Sequence, residues 1–146
     1  MRKMQHFFTL ILPFAFVIGF FLTACTEEGT VLTKPDEYVR AFDGNERIIL
    51  KAIAQVFKDK GFGNSKINRE KREIESDVLI QNGWRSKSIA RVTKINWKET
   101  EVALSVITEK QVDSGWEMRR LLQKKQYDSL FDAIELQIYQ EMYKTE

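Results

Sequence analysis

Apolar and polar positions divide this chain into segments of different period. Residues 7 to 24 carry no charge. Residues 26 to 44, TEEGTVLTKPDEYVRAFDG, show no steady repeat and contain Pro35 and two glycines, which predicts a tether rather than a packed element. Its first dozen residues would span up to about 40 Å when extended. From Asn45 the pattern changes. Ile49, Ala52, Ile53, Val56 and Phe57 recur at three and four, predicting an amphipathic helix with Asn45 as its cap and Gly61 as its stop.

Alternation replaces the helical period in EIESDVLI, residues 73 to 80, where Ile74, Val78 and Ile80 interleave with Glu73, Glu75, Asp77 and Leu79. Asn82-Gly83 then signals a hairpin. A two-residue turn would set Val78 opposite Lys87 and Ile74 opposite Arg91, mixing charge into the buried face. Shifting the register puts Ile74 opposite Val92, Ser76 opposite Ala90 and Glu75 opposite Arg91. The second arrangement separates the faces, so a three-residue loop or a bulge is expected around Asn82 to Trp84. The next strand is RSKSIARVT (85–93), followed by a turn near Lys98-Glu99-Thr100 and by EVALSVIT, with Val102, Leu104 and Val106 inward.

Residues 112 to 126 leave helix, strand and loop open: Ser114 and Glu117 could form a capping box that opens a helix, or Trp116 could pin a loop. Beyond them Tyr127, Leu130, Phe131, Ile134, Ile138 and Met142 form one helical stripe. The predicted order is α-β-β-β-α. That is an α+β two-layer sandwich, a three-stranded antiparallel meander flanked by an N-terminal and a C-terminal helix, in a single domain over residues 45–146.

Charge narrows the partners. The formal net charge of +2 comes entirely from Arg2 and Lys3, because residues from Thr26 onward hold 21 Lys and Arg against 21 Asp and Glu. A balanced surface lacks the basic footprint of nucleic-acid binding, so no nucleic-acid partner is expected.

The apolar start carries the clearest address. Two cations, an uncharged run and a small-residue finish describe a secretory signal peptide over residues 1–24. Leu22-Thr23-Ala24-Cys25 resembles the lipobox of bacterial lipoproteins and contains the only cysteine of the chain. That resemblance implies a diacylglycerol on the Cys25 sulfur, cleavage before it, and acylation of the new N-terminus. Two or three acyl chains anchor firmly, each buried CH₂ contributing about 0.8 kcal/mol. An uncleaved membrane helix is the alternative, but residues 7 to 24 are short for one and Pro13 interrupts them. Either way residues 26–146 lie outside the cytoplasm. Thr26 follows the cysteine where an inner-membrane lipoprotein would carry Asp, which points to the outer membrane, facing the periplasm.

Cleavage also removes the single histidine, His6. A mature chain without imidazole or free thiol has no Ser-His-Asp or Cys-His catalysis and no zinc site built on His or Cys. Glu73, Glu75 and Asp77 would share one strand face and could serve as an acid/base pair, but such a row is ordinarily the solvated side of a half-buried strand. GFGNSK (61–66) lacks the spacing of a phosphate loop and reads as a helix stop. No enzyme, cofactor or metal is expected.

The α-β-β-β-α order behind a lipobox, with the basic strand RSKSIARVT and the closing YDSLFDAIELQI (127–138), resembles the helix-grip domains of the barrel-assembly lipoprotein BamC. The resemblance implies a non-catalytic module that assists an envelope complex in assembly, transport or secretion, with a protein partner in the envelope. The uncovered sheet face is the expected surface, offering Ile89, Arg91, Ile95 and Trp97 beside Glu73 and Glu75. The alternative is a binder of envelope glycan or lipid, with Trp84, Trp97 and Trp116 as stacking faces.

Overall fold

The computed structural model describes residues 29–144. The expected signal peptide, Cys25 and His6 lie outside the described residues. The elements run β1 (Thr30–Val31), β2 (Tyr38–Asp43), α1 (Glu46–Asp59), β3 (Ser65–Asn68), β4 (Glu73–Ser76), β5 (Leu79–Gln81), β6 (Trp84–Lys94), β7 (Glu99–Val112), β8 (Gly115–Arg120) and α2 (Lys124–Tyr143). All strand pairs are antiparallel. Among the described residues no helix is long and apolar enough to cross a membrane.

The expected α-β-β-β-α sandwich on a three-stranded meander is wrong: two helices accompany one antiparallel sheet of eight strands. Its spine is β6 against β7, paired from Trp84↔Lys110 to Lys94↔Thr100. On the outer side of β7 lie β2 and, further along, β8, to which β1 adds. On the outer side of β6 lie β5 and β4, and β3 closes that edge. The stretch expected as a tether thus supplies two strands, and Thr30 is already hydrogen-bonded into the sheet. Of the helix, strand and loop left open for residues 112 to 126, the structure has the strand: they turn at Asp113-Ser114, run as β8, and enter α2.

Both helices cover one face, as expected. Asn45 caps α1, its side chain accepting from the Ile48 N–H at 3.0 Å. At the other end the Phe62 N–H donates to Phe57 O and the Gly61 N–H to Lys58 O, while the rings of Phe57 and Phe62 meet edge to face. That is a Schellman stop, and Gly61, at φ +80°, occupies the left-handed position it needs. Ile49, Ile53 and Phe57 from α1, Phe131, Ile134 and Ile138 from α2, and Ile74, Ala90, Val92, Val102 and Leu104 from the sheet make one continuous core.

Register differs from both expected versions. Asn82-Gly83 does make a two-residue turn, with φ of +52° and +75°, which closes β5 on β6 as Gln81↔Trp84. In β4, however, the pairs are Ile74↔Ala90 and Glu73↔Arg91. Between Ile74↔Ala90 and Leu79↔Ser86 one strand advances five residues and the other four. The surplus residue sits at Asp77–Val78. A bulge does separate charge from core, but it lies before the turn rather than in it.

Interrupting a neighbour strand leaves backbone groups unpaired, and side chains take them. Ser88 and Val106 face each other across the spine. Ser88 lies between the ends of β4 and β5, and its N–H donates to Ser76 Oγ at 2.9 Å. Val106 lies between the ends of β2 and β8, and its N–H donates to the Tyr127 hydroxyl at 3.0 Å. Both sites are buried, so each hydroxyl replaces a missing strand bond.

Candidate interaction surface

With both helices on one side, the other side of the sheet is bare. Alternation assigns its residues: Arg85, Lys87, Ile89 and Arg91 from β6, Ala103, Ser105, Ile107 and Glu109 from β7, Glu73 and Glu75 from β4, and Val39 from β2. Ile89 and Ile107 are half-buried there. Charged side chains frame them, and each cation meets an acid. Arg85 engages Glu109 through two nitrogens, the Nη2–Oε1 bond being 2.9 Å. Lys87 reaches Glu75 at 2.6 Å, and Arg91 holds Glu73 at 3.0 Å and Glu37 at 3.2 Å. Arg120 of β8 grips Asp36 through two bonds of 2.6 and 2.9 Å.

Three of these pairs favour the ionised form of their acid. Hydrogen bonding to Lys87 holds the Glu75 carboxyl below its usual range, and Arg85 and Arg120 do the same for Glu109 and Asp36. A carboxylate stabilised as an anion is a poor general acid. Asp77 lies past the end of β4 rather than on the face of Glu73 and Glu75, and its N–H donates to Asn64 O. The three acids do not form the row that the sequence suggested.

Of the four residues expected on the surface, Ile89 and Arg91 lie on the bare face. Ile95 and Trp97 sit beyond the end of β6, in the hairpin tip, 52% and 80% exposed. Asn96 builds that tip by accepting from the Lys98 and Glu99 N–H groups, and the Lys98 ammonium stands 4.5 Å from the Trp97 ring centre. The three tryptophans do not converge. Trp84 pairs with Lys110 on the helix side of the sheet, Trp116 lies on the bare side under the Arg85 guanidinium at 4.6 Å, and Trp97 is at the far tip. They form no common stacking platform.

Residues 36 and 37, expected in the tether, touch this face. Ser105 Oγ donates to Asp36 O, beside the ion pairs of Asp36 and Glu37. Sequence alternation could have found Lys87, Ile107 and Glu109. It could not have found Asp36 and Glu37, because their segment carries no period of its own. An open groove of about 560 Å³ also runs between α1 and β3, lined by Glu46, Arg47, Leu50, Lys51, Ile67 and Arg69.

No family model matches the chain, and no curated protein matches it. Among solved structures it is similar to a TBP-like protein from Parabacteroides distasonis, with 15% identity over 73% of this chain and 96% of that one, at a TM-score of 0.35. The strand registers of this chain alone describe its sheet, and eight strands overturn the fold implied by the helix-grip resemblance.

Proposed function

We propose that this chain is a lipid-anchored, non-catalytic interaction module of a bacterial envelope, held through acyl chains on Cys25 and presenting the bare sheet face to a protein partner. One observation carries the interaction reading: helices cover a single face of the sheet, leaving Ile89 and Ile107 half-buried within a frame of matched ion pairs. A face of that kind resembles the mixed composition of non-obligate interfaces, with an apolar centre and a charged rim. The lipobox supports the anchor, and Thr26 supports the outer membrane.

The test is a photo-reactive residue in place of Ile89 or of Ile107, with Gln140 on the outside of α2 as the control position. Irradiation of membranes should give one discrete protein adduct from each face position and none from the control. No adduct from either face position, or the same adduct from all three, would remove the surface from the proposal.

A further inference from the structure

Pairing of β1 with β8 shortens the reach of any anchor. Thr30 lies opposite Arg120 and Val31 opposite Arg119, and the Leu32 N–H donates to Met118 O at 2.9 Å. Gly29 is pressed so closely on Arg120 that a Cβ there would fall 2.6 Å from the Arg120 carbonyl oxygen. Only Thr26, Glu27 and Glu28 then separate Cys25 from the sheet. Four Cα steps from Cys25 to Gly29 reach at most about 14 Å, a third of the span the sequence alone suggested. A domain on so short a lead touches the surface to which the lead is fixed.

The corner beside that lead has the chemistry of a lipid interface. Val31 and Leu121 are 54% and 42% exposed where the chain arrives. Lys34 lies exposed in the connector after β1, and Lys124 and Lys125, also exposed, come three and four residues after Leu121 at the start of α2. Lys124 pairs with Asp128, while Lys34 and Lys125 make no ion pair among the described residues. Further along α2 the sign reverses, with Asp128 and Asp132 turned to Arg40. An anionic bilayer therefore favours the corner over the rest of that edge.

We infer that Val31, Leu121, Lys34, Lys124 and Lys125 form a docking surface for an anionic lipid headgroup layer, which fixes the orientation of the domain on its membrane. The inference rests on the anchored reading. It turns the β1 edge toward lipid and the β3 edge away from it, since the two lie at opposite ends of the strand order. Apolar side chains enter the headgroup boundary, and the ammonium groups act within about 10 Å of the lipid charge at ordinary salt.

The experiment uses the acylated full-length product, purified from membranes and reconstituted in vesicles of phosphatidylcholine with or without phosphatidylglycerol. Reductive methylation, whose reagent is neutral, is followed at each lysine by mass spectrometry. Phosphatidylglycerol should slow Lys34, Lys124 and Lys125 by roughly threefold or more, because they lie in the interface, while Lys66 on β3 and Lys98 in the far tip keep their rates. Lys124→Gln combined with Lys125→Glu should abolish the effect at Lys34 without lowering the thermal midpoint. Equal rates at all five lysines in both vesicles overturn the surface, whether the corner stays open or a second copy covers it. Intact mass is read first: a chain without acyl groups overturns anchor and surface together, and an acylated chain with equal rates overturns the surface alone.

Discussion

At the scale of single residues, the sheet depends on two hydroxyls that stand in for strand. Tyr127 was legible as a core position, because its spacing with Leu130, Phe131 and Ile134 is helical. What its hydroxyl does was not legible, since the need arises where β2 ends and β8 has not begun. Burial raises the Tyr127 pKa, and the Val106 N–H partly opposes that shift by hydrogen bonding to the oxygen. Tyr127→Phe keeps the ring and its contact with Tyr38, whose centroid lies 4.4 Å away, and leaves the Val106 N–H buried without a partner. The expected loss is about 1–3 kcal/mol in denaturant unfolding. A loss below a few tenths would mean that water reaches the gap. Glu73, Glu75 and Asp77 show the reverse: Glu73 and Glu75 do share the bare face, but a bulge at Asp77–Val78 takes the third acid off it.

Among elements, legibility followed length and amphipathicity. Both helices, the long strands β6 and β7, and the one-sided placement of the helices follow from residue spacing. The missed strands β1, β2 and β3, and β8, which the sequence left undecided, are two to six residues long. None of them can show a period beyond a few positions; β1, β2 and β8 each form on the edge of a longer neighbour, and β3 on that of the equally short β4. In β2 the alternation is also masked by Arg40, which lies on the helix side but carries its charge out to Asp128 and Asp132 across the Phe131 ring. The start of α2 is similarly opaque. It has no acid in its first turn and relies on reciprocal bonds between Gln123 and Gln126. Lys124 and Lys125 there oppose the helix dipole, so Lys125→Glu should stabilise α2 by about 0.3–1 kcal/mol. Loss of the Lys124–Asp128 pair in Lys124→Gln offsets part of that gain, about 0.3–0.5 kcal/mol. This is why the double variant proposed above should melt no lower than the parent.

For the whole molecule, the balance of charge has a consequence for pH. Arg120, Lys87, Arg85 and Lys144 lower the folded-state pKa values of Asp36, Glu75, Glu109 and Glu141 respectively. A depressed carboxyl contributes stability that is fully present above its unfolded value and lost as pH falls through its folded one. Tyr127 is raised, so its contribution is lost in the other direction, above its ordinary value near 10. Thermal midpoints should therefore be flat through neutral pH, fall below about pH 4.5 and fall again above about pH 10. A midpoint that rises on acidification would contradict the ion pairs. The functional account depends on the anchor more than on any of these pairs. Intact-mass measurement of the native protein, recovered separately from membrane and soluble fractions, tests it most directly. The expected result is a membrane-bound chain beginning at Cys25 and heavier by its acyl groups. An unprocessed chain of 146 residues in the soluble fraction, at its bare polypeptide mass, would contradict it.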